Sequence, residues 1–75
     1  LKRYEKLTAT FIVVGDREDR YKAVEYTKFV EYTMDGQNQV IRDSKRYALQ
    51  GGCALNINED QTFTNTITNK ILRRV

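Results

Sequence analysis

Apolar and polar residues alternate at every second position through much of this chain. From Tyr4 to Val14, Leu7, Ala9, Phe11 and Val13 share one side and Thr8 and Thr10 take the other, while Ile12 and Val14 make the end apolar on both sides. This is the pattern of a strand whose end becomes fully buried. Gly15-Asp16 stops it, and Arg17-Glu18-Asp19-Arg20 reads as a solvated loop. From Tyr21 to Met34 two periods compete. As a strand the segment places Val24, Tyr26, Val30, Tyr32 and Met34 on one face, interrupted by Lys28; as a helix it places Ala23, Tyr26, Val30 and Met34 on one stripe, with Asp16 as a cap and Gly36 as a stop. The Val, Tyr, Thr and Phe content favours the strand, because these side chains lose rotamer freedom in a helix and pack well on a pleated surface. A helix over residues 17–34 in an α+β fold is the alternative.

Asp35-Gly36 is a hairpin signal, since both central residues of a type I′ turn need positive φ. A short strand around Gln39–Arg42, a break at Asp43-Ser44, and a further strand over Lys45–Gln50 with Tyr47 and Leu49 on one face follow. Gly51-Gly52 marks a sharp turn, Cys53, Leu55 and Ile57 a short alternating set, and Asn58–Gln61 another turn. Over Thr62–Val75, Phe63, Ile67, Ile71 and Val75 alternate against Thr62, Thr64, Thr66 and Thr68. Asn65 and Asn69 interrupt the inward face, and a bulge near Asn69-Lys70 would let Ile71 and Leu72 be buried. Turn signals at about ten-residue spacing predict one all-β domain over residues 1–75, with five to six mostly antiparallel strands in a twisted meander or small open barrel. The expected core is Leu7, Phe11, Val13, Val24, Tyr26, Val30, Leu49, Leu55, Ile57, Phe63, Ile67 and Ile71.

Composition narrows the function classes. There is no histidine, tryptophan or proline, and a single cysteine, Cys53, and a single serine, Ser44, in 75 residues. Most catalytic constellations need a His, a thiol pair or a metal cluster, so no catalytic residue, metal ligand or cofactor site is expected. A domain this short buries roughly 60% of the surface its unfolded chain exposes, which makes dimerisation a natural way to gain burial. One cysteine cannot close an internal disulfide and fits a reducing compartment. No apolar run approaches the ~20 residues of a membrane-spanning helix and no signal-peptide pattern opens the chain, so a soluble, cytoplasmic protein without membrane contact is expected.

Individual candidates give way to structural readings. Asn56-x-Asn58-x-Asp60 has the spacing of a calcium loop, but Gln61 and Ile67 stand where the required glycine and acid belong. Asp16, Glu18 and Asp19 are interleaved with Arg17 and Arg20, the mark of a self-neutralising loop. Cys53 follows two glycines, and a reactive thiol there would need Lys45 and Arg46, one hairpin away, to lower its pKa; it reads instead as a buried cysteine behaving as a small apolar residue. Ser44 has no histidine, and adjacent Lys45 would point to the opposite face of a strand. The Thr62/64/66/68 ladder reads as an exposed face of good strand formers, or as a flat recognition face.

Charge offers one functional lead. Thirteen Lys and Arg against ten Asp and Glu give a net charge of +3, with the signs interspersed. Lys2, Arg3 and Lys6 form one basic cluster, Arg42, Lys45 and Arg46 a second, and Lys70, Arg73 and Arg74 a third. If first and last strands pair, the first and third clusters would merge beside Tyr4. Tyr26, Phe29, Tyr32 and Tyr47 would supply stacking surfaces for a nucleic acid, although Glu25 and Glu31 flank them. The residues expected at such a nucleic-acid or partner contact are Lys2, Arg3, Lys6, Arg42, Lys45, Arg46, Tyr47, Arg73 and Arg74.

From about Val24 onward, the order of pieces Tyr47-Ala48-Leu49, Gly51-Gly52, Leu55-Asn56, Glu59-Asp60, Phe63 and Leu72-Arg73-Arg74 resembles that of a set of short hypothetical bacterial β-rich proteins. Where those carry Thr-Gly before the closing strand, this chain has Thr68-Asn69. The resemblance implies a compact β-fold, a bacterial origin and no active site. Two functions are expected from the sequence: a small non-enzymatic module for protein–protein interaction acting through a strand edge or sheet face, including as a homodimer, or a nucleic-acid-binding β-domain using the basic clusters.

Overall fold

A computed structural model describes residues 1–75 as six antiparallel strands and no helix, so no helix is long and apolar enough to cross a membrane. The strands are β1 (Lys2–Val14), β2 (Arg20–Met34), β3 (Gln37–Leu49), β4 (Ala54–Ile57), β5 (Phe63–Asn65) and β6 (Ile71–Arg74). They close a barrel in sequence order, β6 returning to β1 through Val13↔Arg74 and Val14↔Arg73. The segment read as either strand or helix is strand β2 throughout.

Three long strands meet three short ones, and that mismatch sets the shape. β4 covers only Tyr47 and Ala48 of β3, and β6 covers only Val13 and Val14 of β1. The remaining lengths of β1, β2 and β3 pair with one another alone and project from the barrel as a three-stranded arm. The molecule measures 54 × 23 × 21 Å, with a radius of gyration of 15.4 Å. A compact chain of this length would have a radius near ~11 Å.

The core lies inside the barrel. Val13, Ala23, Leu55, Phe63 and Leu72 form its buried cluster, with Phe11, Tyr47 and Leu49 packed against it. Phe11, Tyr47 and Phe63 make a mutual aromatic set with centroids 5.1 to 6.3 Å apart. The expected core is right at Phe11, Val13, Leu49, Leu55 and Phe63 and wrong elsewhere. Leu7, Ile57, Ile67 and Ile71 are exposed, and Leu72 takes the inward place expected of Ile71. On β2 the inward face is the odd-numbered one, starting at Ala23, so Val24, Tyr26 and Val30 face outward. Three large rings fill the narrow interior, and the facing position on β2 must then be small; Ala23 fits where a Val or Tyr would overpack.

Turns and bulges explain the other departures. Asp35 (φ 52°) and Gly36 (φ 76°) make the expected hairpin turn. Asp43-Ser44 bulges β3 between Lys45 and Arg42 rather than ending a strand, so the two short strands expected there are one. The closing segment is not one strand. Asn65 Oδ1 accepts the backbone N–H groups of Ile67 (2.9 Å) and Thr68 (3.2 Å), and Asn69 takes φ 60°, so the chain reverses between β5 and β6. Ile67 sits on this turn, which is why it is exposed. β5 pairs with both β4 and β6, so its backbone is satisfied within the chain.

Candidate nucleic-acid and partner interface on the arm

In an antiparallel sheet, directly opposed residues share a face and neighbours along a strand alternate. The register therefore sorts the arm into two surfaces. One carries Lys2, Tyr4 and Lys6 of β1 opposite Glu31, Phe29 and Thr27 of β2, with Val40, Arg42 and Lys45 of β3 beyond. The other carries Arg3, Glu5 and Leu7 opposite Val30, Lys28 and Tyr26, with Ile41 and Arg46 beyond, and Tyr32 and Met34 nearer the tip. Side-chain contacts agree. Tyr4 stacks on Phe29 (5.6 Å, 23° between rings), and the Lys2 and Lys6 ammonium groups lie 5.7 and 5.4 Å from the Tyr4 centroid. On the opposite surface, Arg46 grips the Glu5 carboxylate with two hydrogen bonds of 2.8 and 2.9 Å and lies 4.3 Å over the Tyr26 ring.

A polar joint marks the root of the arm. The Thr8 hydroxyl donates to Glu25 Oε1 at 2.9 Å, so the 2.8 Å contact between Thr8 and Thr27 is donated by Thr27. Lys45 Nζ lies 3.4 Å from the same carboxylate oxygen. Thr8 is the extra residue where the β1–β2 register shifts, and that bulge is what aims its hydroxyl at Glu25. Burial disfavours the charged form of Glu25, but the Thr8 hydroxyl and Lys45 outweigh it and hold the carboxyl below its ordinary 4.5. The Glu5 carboxyl is also held down, by the Arg46 hydrogen bonds against a smaller desolvation.

The basic clusters are arranged differently from the sequence expectation. Antiparallel pairing puts Arg73 beside Val14, separated from Arg3 by ~36 Å of strand, so the two terminal clusters do not merge. Arg74 instead covers the core, its guanidinium 4.3 Å from the Phe11 centroid. The clusters brought together are Lys2, Arg3 and Lys6 with Arg42, Lys45 and Arg46, on the two outer strands of the arm. The aromatics separate as well: Phe29 joins Tyr4 on one face, Tyr26 and Tyr32 lie on the other, and Tyr47 belongs to the core set. Tyr4 was visible in the sequence, but only the β1–β2 register shows that it pairs with Phe29.

Charge follows the same division. The arm (residues 1–7 and 26–46) holds seven Lys and Arg against four Asp and Glu, and the rest of the chain holds six against six. The whole net charge of +3 therefore resides on the arm.

Elsewhere the polar groups serve the backbone. The Thr62 and Thr64 hydroxyls bond Asp60 and Asn58, and Thr66 donates to the Ala54 carbonyl at 2.8 Å, so the threonine ladder is taken up in turns. Asn58 and Asp60, from the calcium-like spacing, bond these same threonines. Cys53 Sγ donates to Asn65 Oδ1 at 3.1 Å. Asp19 accepts the Tyr21 hydroxyl, which lowers the Asp19 carboxyl and raises the Tyr21 phenol. No three His, Cys, Asp or Glu side chains gather where a metal ion could sit. The largest surface depression, about 470 Å³ on the outer wall near Leu7, Tyr26 and Gly51, is lined by no carboxylate and no thiol.

Comparison with protein-family models, with curated proteins and with solved structures found no match for this chain.

Proposed function

We propose that this chain is a non-enzymatic interaction module whose working part is the arm, and that it pairs with a second copy of itself along the free edge of β3. The observation that carries this reading is the stretch Gln37-Asn38-Gln39-Val40-Ile41. It is an uncharged, proline-free strand edge whose outward backbone groups have no partner, since β4 begins its pairing only at Tyr47. Soluble proteins normally guard such an edge with charge, proline or a covering element. On β1 the corresponding free edge, Lys2–Leu7, is guarded by Lys2, Arg3, Glu5 and Lys6.

The β3 edge is self-complementary. A two-fold axis through Val40 sets Ile41 opposite Gln39, Arg42 opposite Asn38 and Asp43 opposite Gln37, with no like charges opposed. It also directs each Lys45 towards Asp35 of the second copy. The pairing extends the arm to a continuous six-stranded sheet and covers Val40, which is 54% exposed in one copy. A reducing, cytoplasmic setting fits the single thiol.

Sedimentation equilibrium tests the reading. The chain is expected to behave as a dimer at micromolar to millimolar concentration, and Val40→Asp, which places two carboxylates on the axis, is expected to give a folded monomer. A monomer across that whole range for the unsubstituted chain would end the proposal.

A further inference from the structure

We propose that the face of the arm bearing Tyr4 and Phe29 binds unpaired nucleic acid, with bases stacking on the aromatic pair and phosphates held by Lys2, Lys6 and Arg42. Three observations converge on it. The two rings form an offset stack on a face that no other layer covers, and both are half-buried rather than sealed. Their flanking cations enter no ion pair: the two of the molecule are Lys45 with Glu25 and Arg46 with Glu5, so neither uses Lys2, Lys6 or Arg42, although Glu31 stands opposite Lys2. And the arm holds the entire net positive charge of the chain.

The chemistry selects single strands. Unpaired bases present a π-face to a side-chain ring whatever their sequence, whereas a duplex hides those faces within its own stack. Lys2 and Lys6 lie on one side of β1, ~13 Å apart along the strand and on either side of Tyr4, so a backbone crossing that ring meets a cation before and after it. In the free protein the ammonium groups rest near the ring; on binding they exchange that weak attraction for phosphate oxygens. An acidic peptide would use the cations and leave the aromatic pair idle. Glu25, a half-buried carboxylate at the root of the arm, is already paired with Lys45, and Glu31 is the one unpaired acid on this face. The face is complete in one copy, so this inference does not depend on the dimer.

Fluorescence anisotropy with a labelled pyrimidine-rich single strand, the same sequence as duplex, and polyglutamate as competitor provides the test. The single strand is expected to bind best. Its log K should fall with log salt at a slope near about −2 for three neutralised phosphates. Tyr4→Leu should weaken binding about fivefold or more while leaving the slope unchanged, and Lys6→Gln should reduce the slope by about 0.7. Lys28→Gln removes the same charge from the opposite face and should alter binding less than Lys6→Gln does. All variants are compared at matched circular dichroism spectra. No binding at low salt, equal binding of duplex, equal competition by polyglutamate, or equal effects of Lys6→Gln and Lys28→Gln would each overturn the proposal, the third in favour of an acidic protein ligand.

Discussion

The barrel and the arm are made from the same three long strands, yet they differ in nearly every physical respect. Eight of the nine buried residues lie in the barrel, and the ninth, Thr27, sits at the arm's root. Along one continuous face, β1 runs from Val13 and Phe11 in the barrel to Lys6, Tyr4 and Lys2 in the arm, and β2 runs from Ala23 to Phe29 and Glu31. Strand pairing resumes on both sides of the bulges at the boundary, so backbone hydrogen bonding does not make the difference. Closure does: only where β4, β5 and β6 complete the ring is the inward face removed from water. The lesson is that hydrogen-bonded β-structure and a hydrophobic core are separable, and this chain extends the first about twice as far as the second.

The strongest way to break that comparison is to weaken each region in turn. Phe63→Ala removes a ring that touches both Phe11 and Tyr47 and should destabilise the whole protein by about 3–5 kcal/mol in denaturant unfolding. Met34→Ala on the arm should change it by less than about 0.5 kcal/mol, as expected of an exposed site. Similar losses at both positions would mean that the arm is part of the cooperative core.

A smaller effect should reveal whether the tip opens on its own. A methyl group added at Gly36 meets no atom within 4 Å, so Gly36→Ala costs only the φ of 76°, about 1 kcal/mol. Amide exchange over Thr33–Gln37 should accelerate by roughly fivefold, the equivalent of that energy, while Val13, Leu55, Phe63 and Leu72 keep their protection. A uniform acceleration through the barrel would contradict the division.

Acid sharpens the boundary itself. The Glu25 carboxyl is lowered in the folded protein, so its contribution is fully present above its ordinary value of 4.5 and is lost as the pH falls through the folded value. Glu5, Asp19 and Asp60 are lowered too and add in the same sense. Stability should therefore be flat near neutrality and decline below pH 4.5, and Glu25→Gln should make that acid decline shallower. An unchanged pH profile in Glu25→Gln would show that the joint contributes nothing at the root of the arm.

Local chemistry determined a good deal from the sequence alone. The two-residue alternation and the Val, Tyr and Thr content gave an all-β chain, because these side chains suit a pleated surface whatever lies beyond it. Asp35-Gly36 specified its own turn, since positive φ at both positions is a local requirement. Phe11, Val13, Leu55 and Phe63 were legible as core because they are large, apolar and correctly phased within short segments.

Tertiary structure decided the rest. The buried face of β2 could not be read from alternation, because the apolar set Val24, Tyr26, Val30 is the larger one; Ala23 faces inward only because Phe11, Tyr47 and Phe63 already fill the interior. The arm was equally hidden, although strands of thirteen residues beside partners of four must overrun any barrel they close. The neighbours of Lys2, Tyr4 and Lys6 depend on strand order and register, which are set by which faces can be buried together. That is a property of the closed sheet and of no single segment.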